Sequence, residues 1–141
     1  MKFWDTSALV PLLIRESSSE AVLQIIGEDT EMAVWWGTET ECLSALARRE
    51  REKQLSRNDV TIAERDLSRL MAGALEIIPS PEVRRHARRL LMTHPLRAAD
   101  AFQLAAAMVL AGDQPSQVAI ITFDQNLAIC AQREGLITLP E

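Results

Sequence analysis

The stretch Val118-Ala119-Ile120-Ile121-Thr122-Phe123-Asp124-Gln125-Asn126-Leu127 decides the fold. Val118–Thr122 is a short apolar run without polar alternation, the pattern of a strand buried on both faces of a parallel sheet. A carboxylate, Asp124, follows it, then a helical pattern over Leu127–Arg133 with Gly135 as its cap. Lys2–Asp5 repeats the arrangement at the N-terminus: a short strand that ends at an aspartate and leads into a helix. Met32–Trp36, Leu75–Ile78 and Leu136–Leu139 are further short apolar runs. Between the runs lie helical patterns at Ala8–Ile14, Ser19–Ile26, Glu39–Gln54, Ser56–Ala72, Pro81 to about Met92, and Arg97–Ala111. Strands alternating with helices predict a three-layer α/β/α domain with a central, mostly parallel sheet.

Local signals set the boundaries. Ser17–Ser19 caps the second helix, and Gly37-Thr38 opens the third, whose apolar positions Cys42, Leu43, Leu46 and Ala47 share one face. Gly73 stops the fourth helix, Pro81 begins the fifth, and His94-Pro95 ends it. From Ala101 to Leu110 the next helix is apolar almost all round, so it is expected inside the protein, and Gly112 ends it. Pro11 is the awkward residue. A proline sits without loss only in the first turn, so the first helix is expected to start near Leu9 or to bend.

Composition narrows the function classes. A chain of 141 residues suits one domain, and 48% hydrophobic with 25% charged residues is ordinary for a globular protein. No apolar run approaches the roughly 18 residues of a membrane span. Asp5 interrupts any signal-peptide core, so the mature protein is expected to start at Met1 and stay in the cytoplasm. Two cysteines, Cys42 and Cys130, are too few and too far apart for a disulfide framework or a zinc site. The net charge of −5 excludes a globally basic nucleic-acid binder but not a local basic patch. Of 15 basic residues only Lys2 and Lys53 are lysines, so 13 are arginines.

In parallel α/β sheets, ligands bind beyond the carboxyl ends of the strands, where strand order reverses. Asp5 and Asp124 both stand at such ends, although aspartate before a helix is also a common N-cap. Asp100 adjoins a helix that should be buried, where a lone carboxylate requires a partner, a cap role or a metal. A cap there would have Gln103, three residues on, as a faint capping-box echo. Glu41 lies near the edge of the inward face of its helix, and Glu39 points elsewhere. By default either is a surface glutamate.

Four segments carry a likeness to a known family: Phe3-Trp4-Asp5-Thr6-Ser7-Ala8-Leu9, Glu41 to Arg49, Leu96 to Ala107, and Ile121 to Leu127. With them the chain resembles PIN-domain ribonucleases, specifically the VapC-type toxins of bacterial and archaeal type II toxin–antitoxin systems. The segments keep the family order and span almost the whole chain, which implies a single PIN-like domain over residues 1–141. The resemblance implies a metal site built from Asp5, Glu41, Asp100 and Asp124, supported by the hydroxyls of Thr6 and Thr122. Glu41 is preferred because it lies five residues before Leu46, as the family glutamate does before its matching leucine, and Glu39 is the fallback. Pro11 departs from the family, where a basic residue is frequent, and Trp35-Trp36 makes the entry to the glutamate helix unusually aromatic.

Carboxylates crowded together resist ionising together, and a divalent cation removes that repulsion. An all-oxygen ligand set favours Mg²⁺ or Mn²⁺ over zinc. The implied activity is endoribonuclease cleavage by metal-activated water, leaving a 5′-phosphate and a 3′-hydroxyl. Among Arg84, Arg85, Arg88, Arg89 and Arg97, the segment leading to Asp100, Arg97 is the best candidate to touch RNA. Arg48, Arg49 and Arg51 alternate with Glu50 and Glu52, which reads as pairing on a helix surface. Trp4 and one of Trp35 and Trp36 are expected in the core, and His86 and His94 at the surface or in turns. The family implies a cognate antitoxin of the VapB type, an RNA substrate such as transfer or ribosomal RNA, and a homodimer. Ser19–Ile26 and Ser56–Met71 are the candidate docking helices. The alternatives are a PIN-fold binding module without activity and a non-toxin RNA-processing nuclease. A haloacid-dehalogenase-type phosphatase wants a second aspartate where Ser7 stands and a buried lysine that the chain lacks.

Overall fold

The computed structural model describes residues 1–141. Five strands form one sheet: β1 (Lys2–Trp4), β2 (Met32–Trp35), β3 (Leu75–Ile77), β4 (Ala119–Ile121) and β5 (Ile137–Leu139). Their order is β3-β2-β1-β4-β5, and every neighbouring pair is parallel. The expected three-layer architecture is therefore found, with a sheet that is wholly rather than mostly parallel.

Seven helices cover the sheet: α1 (Thr6–Leu13), α2 (Ser19–Glu28), α3 (Thr38–Arg51), α4 (Arg57–Gly73), α5 (Pro81–Thr93), α6 (Ala98–Ala111) and α7 (Gln125–Arg133). The two faces follow from strand alternation. Trp4, Met32, Val34 and Ile121 point into the layer formed by α1–α4. Phe3, Ala33, Trp35 and Ile120 point into the layer formed by α5–α7. Strand order explains the division. From β1 the chain steps to β2 and β3 in one direction, then returns past β1 to β4 and β5. Right-handed crossovers place connections of opposite direction on opposite faces. The reversal falls between β1 and β4, so the crevice above their carboxyl ends is where a site belongs.

α6 carries the core of its layer. Ala101 and Leu104–Ala107 are fully buried, and the alanines let α5 pack along it closely. Burying a side chain the size of Leu104 or Leu90 contributes about 1.5–3 kcal/mol each.

Several helix ends differ from expectation. α1 begins at Thr6, not near Leu9, because Asp5 caps it directly at the end of β1. Pro11 then falls at the sixth helical residue, where it forfeits the bond its N–H would make to the Ser7 carbonyl. α3 stops at Arg51 rather than Gln54, since Lys53 turns the chain with a φ of 60°. Ser56 is the N-cap of α4, in a reciprocal capping box with Asp59, and Gly73 is its last residue rather than the stop beyond it. α7 starts two residues before Leu127, capped by Asp124.

His94 is the clearest correction in the scaffold. Its position ends α5, as expected of a turn, but the side chain is buried. His94 Nε2 lies 2.7 Å from Glu134 Oε1, and Arg89 donates to both oxygens of the same carboxylate at 3.0 and 2.7 Å. Glu134 follows α7, so this cluster clamps α5 to α7. The Arg89 hydrogen bonds, reinforced by His94, hold the Glu134 carboxyl below the usual glutamate range. A depressed carboxyl contributes stability above its unfolded pKa and loses it as pH falls through the folded value. Glu134→Ala is expected to destabilise the fold at pH 7 by about 1–3 kcal/mol, measured by urea unfolding. The gap from wild type should narrow as the medium is acidified below the normal glutamate range.

Candidate active site

Asp5 leaves β1 with its backbone extended, and its Oδ2 accepts from Ser7 N at 3.3 Å, which caps α1. The same oxygen accepts from Ser7 Oγ at 2.6 Å and from Thr122 Oγ1 at 2.9 Å. Thr122 stands just past β4, so this bond crosses the seam where strand order reverses. Thr122 Oγ1 in turn accepts from Asp124 N at 3.1 Å, and Ser7 Oγ accepts from Phe123 N at 2.9 Å. Asp124 Oδ1 accepts from Leu127 N at 3.0 Å and caps α7. The capping role that each aspartate suggested is thus real. It occupies one oxygen of each and leaves Asp5 Oδ1 and Asp124 Oδ2 without a hydrogen bond inside the chain.

Glu41 sits in the first turn of α3. Its Oε2 accepts from Thr6 Oγ1, and from Gln103 Nε2 at 2.8 Å. Asp100 occupies the first turn of α6, which favours a negative charge, but its side chain does not cap the helix. The two helices α3 and α6 thereby bring their acids to the caps of α1 and α7. Asp5, Glu41, Asp100 and Asp124 line one open cleft of about 390 Å³. Glu39 does not line it.

Burial is the main reason that Asp5 is raised above the ordinary aspartate pKa, with the charge of Glu41 adding to it and the Ser7 and Thr122 bonds opposing it. Asp100 is raised as well, first by burial, then by the charges of Asp124 and Asp5, against the relief from Arg97. The acids therefore feel one another. The buried Cys42 thiol beside them is pushed up to about 12, first by burial and then by Glu41, which leaves it protonated and unreactive. No three acidic, histidine or cysteine side chains close into a ligand cage. The donors present are carboxylate oxygens, each with an oxygen free of internal bonds. Such a set suits Mg²⁺ or Mn²⁺, and Mg²⁺ keeps several waters and needs only one or two carboxylates.

Cations flank the acids. Arg97, Pro95 and Asn126 line a groove with Asp100 and Asp124. Arg48 and Arg49 line the cleft itself. The expected pairing of these arginines with Glu50 and Glu52 is not what forms. Arg49 binds Glu16 at 2.9 Å, Glu50 binds Arg57, and Arg48 makes no ion pair. A signal existed: Ala45 and Arg48 follow Glu41 at four and seven residues, on its own helical stripe. Gln103 and Ser7 were missed too. Gln103 is no capping-box partner of the α6 start but a buried link to Thr6, Thr38 and Glu41. Nearby, Trp35 is buried and stacked on Phe102, with ring centroids 5.4 Å apart, while Trp36 is 57% exposed. Gly37 is what permits this, since a Cβ there would lie 2.6 Å from the Trp35 indole nitrogen.

The chain matches the family model described as PIN domain over residues 2–132. It is 30% identical to Ribonuclease VapC45 of Mycobacterium tuberculosis (strain CDC 1551 / Oshkosh), over 98% of this chain and 94% of the relative. Its fold is similar to that of Mycobacterium tuberculosis VapC20, described as a sarcin-ricin loop cleaving toxin, at a TM-score of 0.68 and 16% identity, covering 92% of this chain and 94% of the other. It is also similar to a chain in a toxin–antitoxin complex from Klebsiella pneumoniae, at a TM-score of 0.69 and 17% identity, covering 100% and 99%. With an all-parallel sheet and its acids gathered at the seam of β1 and β4, the chain belongs to the PIN-domain family and is a distant homologue of the VapC ribonucleases.

Proposed function

We propose that the protein is a divalent-metal-dependent endoribonuclease and the toxin of a type II toxin–antitoxin pair, acting on RNA in the cytoplasm. The observation that carries this reading is the convergence of Asp5, Glu41, Asp100 and Asp124, from four separate segments, on one cleft. Asp5, Asp100 and Asp124 hold the metal, and Glu41 either joins them or orients the attacking water. Mg²⁺ or Mn²⁺ would supply an activated water and neutralise charge on the phosphate. Thr122 and Ser7 fix the Asp5 carboxylate by one oxygen, and Thr6 does the same for Glu41. Asp5 and Glu41 would therefore meet the metal already oriented.

An acidic protein must still hold a polyanion. Arg97 in the groove beside Asp100 and Asp124, and Arg48 in the cleft with the four acids, suit contact with a phosphate backbone. Resemblance supports transfer or ribosomal RNA as the substrate class. It also supports a VapB-type antitoxin as the partner that blocks the cleft, and a homodimer. Leu23 on α2 and Ile62 on α4 are exposed apolar residues on the helices proposed for those contacts.

The test is purified protein, free of antitoxin, on total RNA, with new 5′ ends mapped by sequencing. Cuts are expected with Mg²⁺ or Mn²⁺ and not with chelator, and Asp100→Asn should lower the rate about a hundredfold or more. Cleavage by that variant at the wild-type rate would overturn the assignment. Stability should move the other way. A carboxyl whose folded pKa is raised is favoured protonated, so its ionised form weakens the fold as pH rises through that value. Metal-free Asp100→Asn is therefore expected to melt at or above the wild-type Tm at pH 7, with the difference vanishing in acid. In binding assays on uncleaved single-stranded RNA, Arg48→Ala and Arg97→Ala should each weaken affinity. Each should also flatten the dependence of log Kd on log salt by about 0.7.

A further inference from the structure

Gln103 is a polar side chain that the apolar interior of α6 does not explain. Asp100 stands one turn before it on the same face, and Ala106 and Ala107 one turn after. Gln103 itself is 1% exposed. Its Nε2 lies 2.8 Å from Glu41 Oε2, 2.9 Å from Thr38 Oγ1 and 3.1 Å from Thr6 Oγ1. Its Oε1 is buried without a partner. A leucine or methionine would fill the position without stranding an oxygen, so the amide must serve through its nitrogen. The opposite orientation of the amide would set Oε1 against the Glu41 carboxylate, acceptor against acceptor. Chemistry thus selects the orientation in which Nε2 donates.

The target of that donation is specific. Gln103 Nε2 and Thr6 Oγ1 converge on the same oxygen of Glu41, Oε2, while Oε1 has no hydrogen bond within the chain. Two donors on one oxygen of a charged carboxylate fix its rotation more firmly than one. The bond also ties α6, which carries Asp100, to α3, which carries Glu41, and reaches α1, which Asp5 caps.

We propose that Gln103 is a positioning residue for Glu41, holding Oε2 inside the protein so that Oε1 is presented to the cleft for the metal or its water. The proposal rests on the nuclease reading above. It assigns Gln103 no contact with RNA or metal, and its whole effect passes through Glu41.

The experiment compares wild type, Gln103→Met, Glu41→Gln and the double variant. Methionine keeps the length of the side chain and removes the donor. Mn²⁺ affinity is read by electron paramagnetic resonance of free Mn²⁺. Cleavage is read on an oligoribonucleotide carrying a site mapped in total RNA, and folding is read by thermal melting. Gln103→Met is expected to lower kcat about ten- to a hundredfold with KM nearly unchanged, the loss of one hydrogen bond to a charged group. Mn²⁺ binding should weaken, and Tm should stay within about 3 °C of wild type. In the Glu41→Gln background the same change should cause no further loss of kcat or Mn²⁺ affinity. Wild-type kcat and Mn²⁺ affinity in Gln103→Met would overturn the proposal, and so would an equal loss with and without Glu41. Wild type that neither binds Mn²⁺ nor cuts RNA would overturn the nuclease reading and this proposal together. Wild type that does both while Gln103→Met matches it would overturn this proposal alone.

Discussion

Thr122 Oγ1 donates to Asp5 Oδ2 across the seam between β1 and β4, and much of the site follows from that contact. It lies where strand order reverses, so helices leave the two strands toward opposite faces and open a crevice. Asp5 starts α1 on one side and Asp124 starts α7 on the other, each through a capping bond. One oxygen of each aspartate is used by the fold and the other is left to the cleft. On the proposed reading, stability and chemistry draw on the same residues without competing for the same atoms.

The arrangement has an energetic consequence. Burial and mutual repulsion push Asp5 and Asp100 toward the protonated state, so at neutral pH the metal-free acids weaken the fold they belong to. The scaffold offsets this elsewhere. Trp4, Leu104, Ile120 and Ile121 are fully buried, and the Arg89–Glu134–His94 cluster ties α5 to α7 away from the cleft. On the proposed reading, a bound divalent cation relieves the repulsion, and the same relief couples metal binding to stability.

What could be read from the sequence was what is local. The run Val118–Thr122 announced a buried parallel strand because its residues lack alternation, and β4 is an interior strand, paired on both sides. Asp5, Asp100 and Asp124 stood out as candidates because each lies beside a strand end or a helix start, where capping reads equally well, and it was the family resemblance, not spacing alone, that set them and Glu41 into one site. Gln103 was not, since its meaning depends on where α1 and α3 lie relative to α6. Arg49 was misread for the same reason. Its neighbours in sequence are glutamates, but the acid that packs against it is Glu16, 33 residues away. His94 was placed at a turn correctly and at the surface wrongly, because its burial depends on Glu134 arriving from the far end of the chain. The early start of α1 shows one local rule overriding another: the Asp5 cap outweighs the loss of a backbone bond at Pro11.

The central claim is that four acids from four segments form one divalent-metal centre. Diffraction from crystals soaked in Mn²⁺, with anomalous data collected near the manganese edge, tests it most directly. The account predicts manganese density bounded by Asp5, Asp100 and Asp124, with Glu41 bonded to it or to its water. Manganese bound elsewhere, or a cleft that stays free of metal at saturating Mn²⁺, would contradict it.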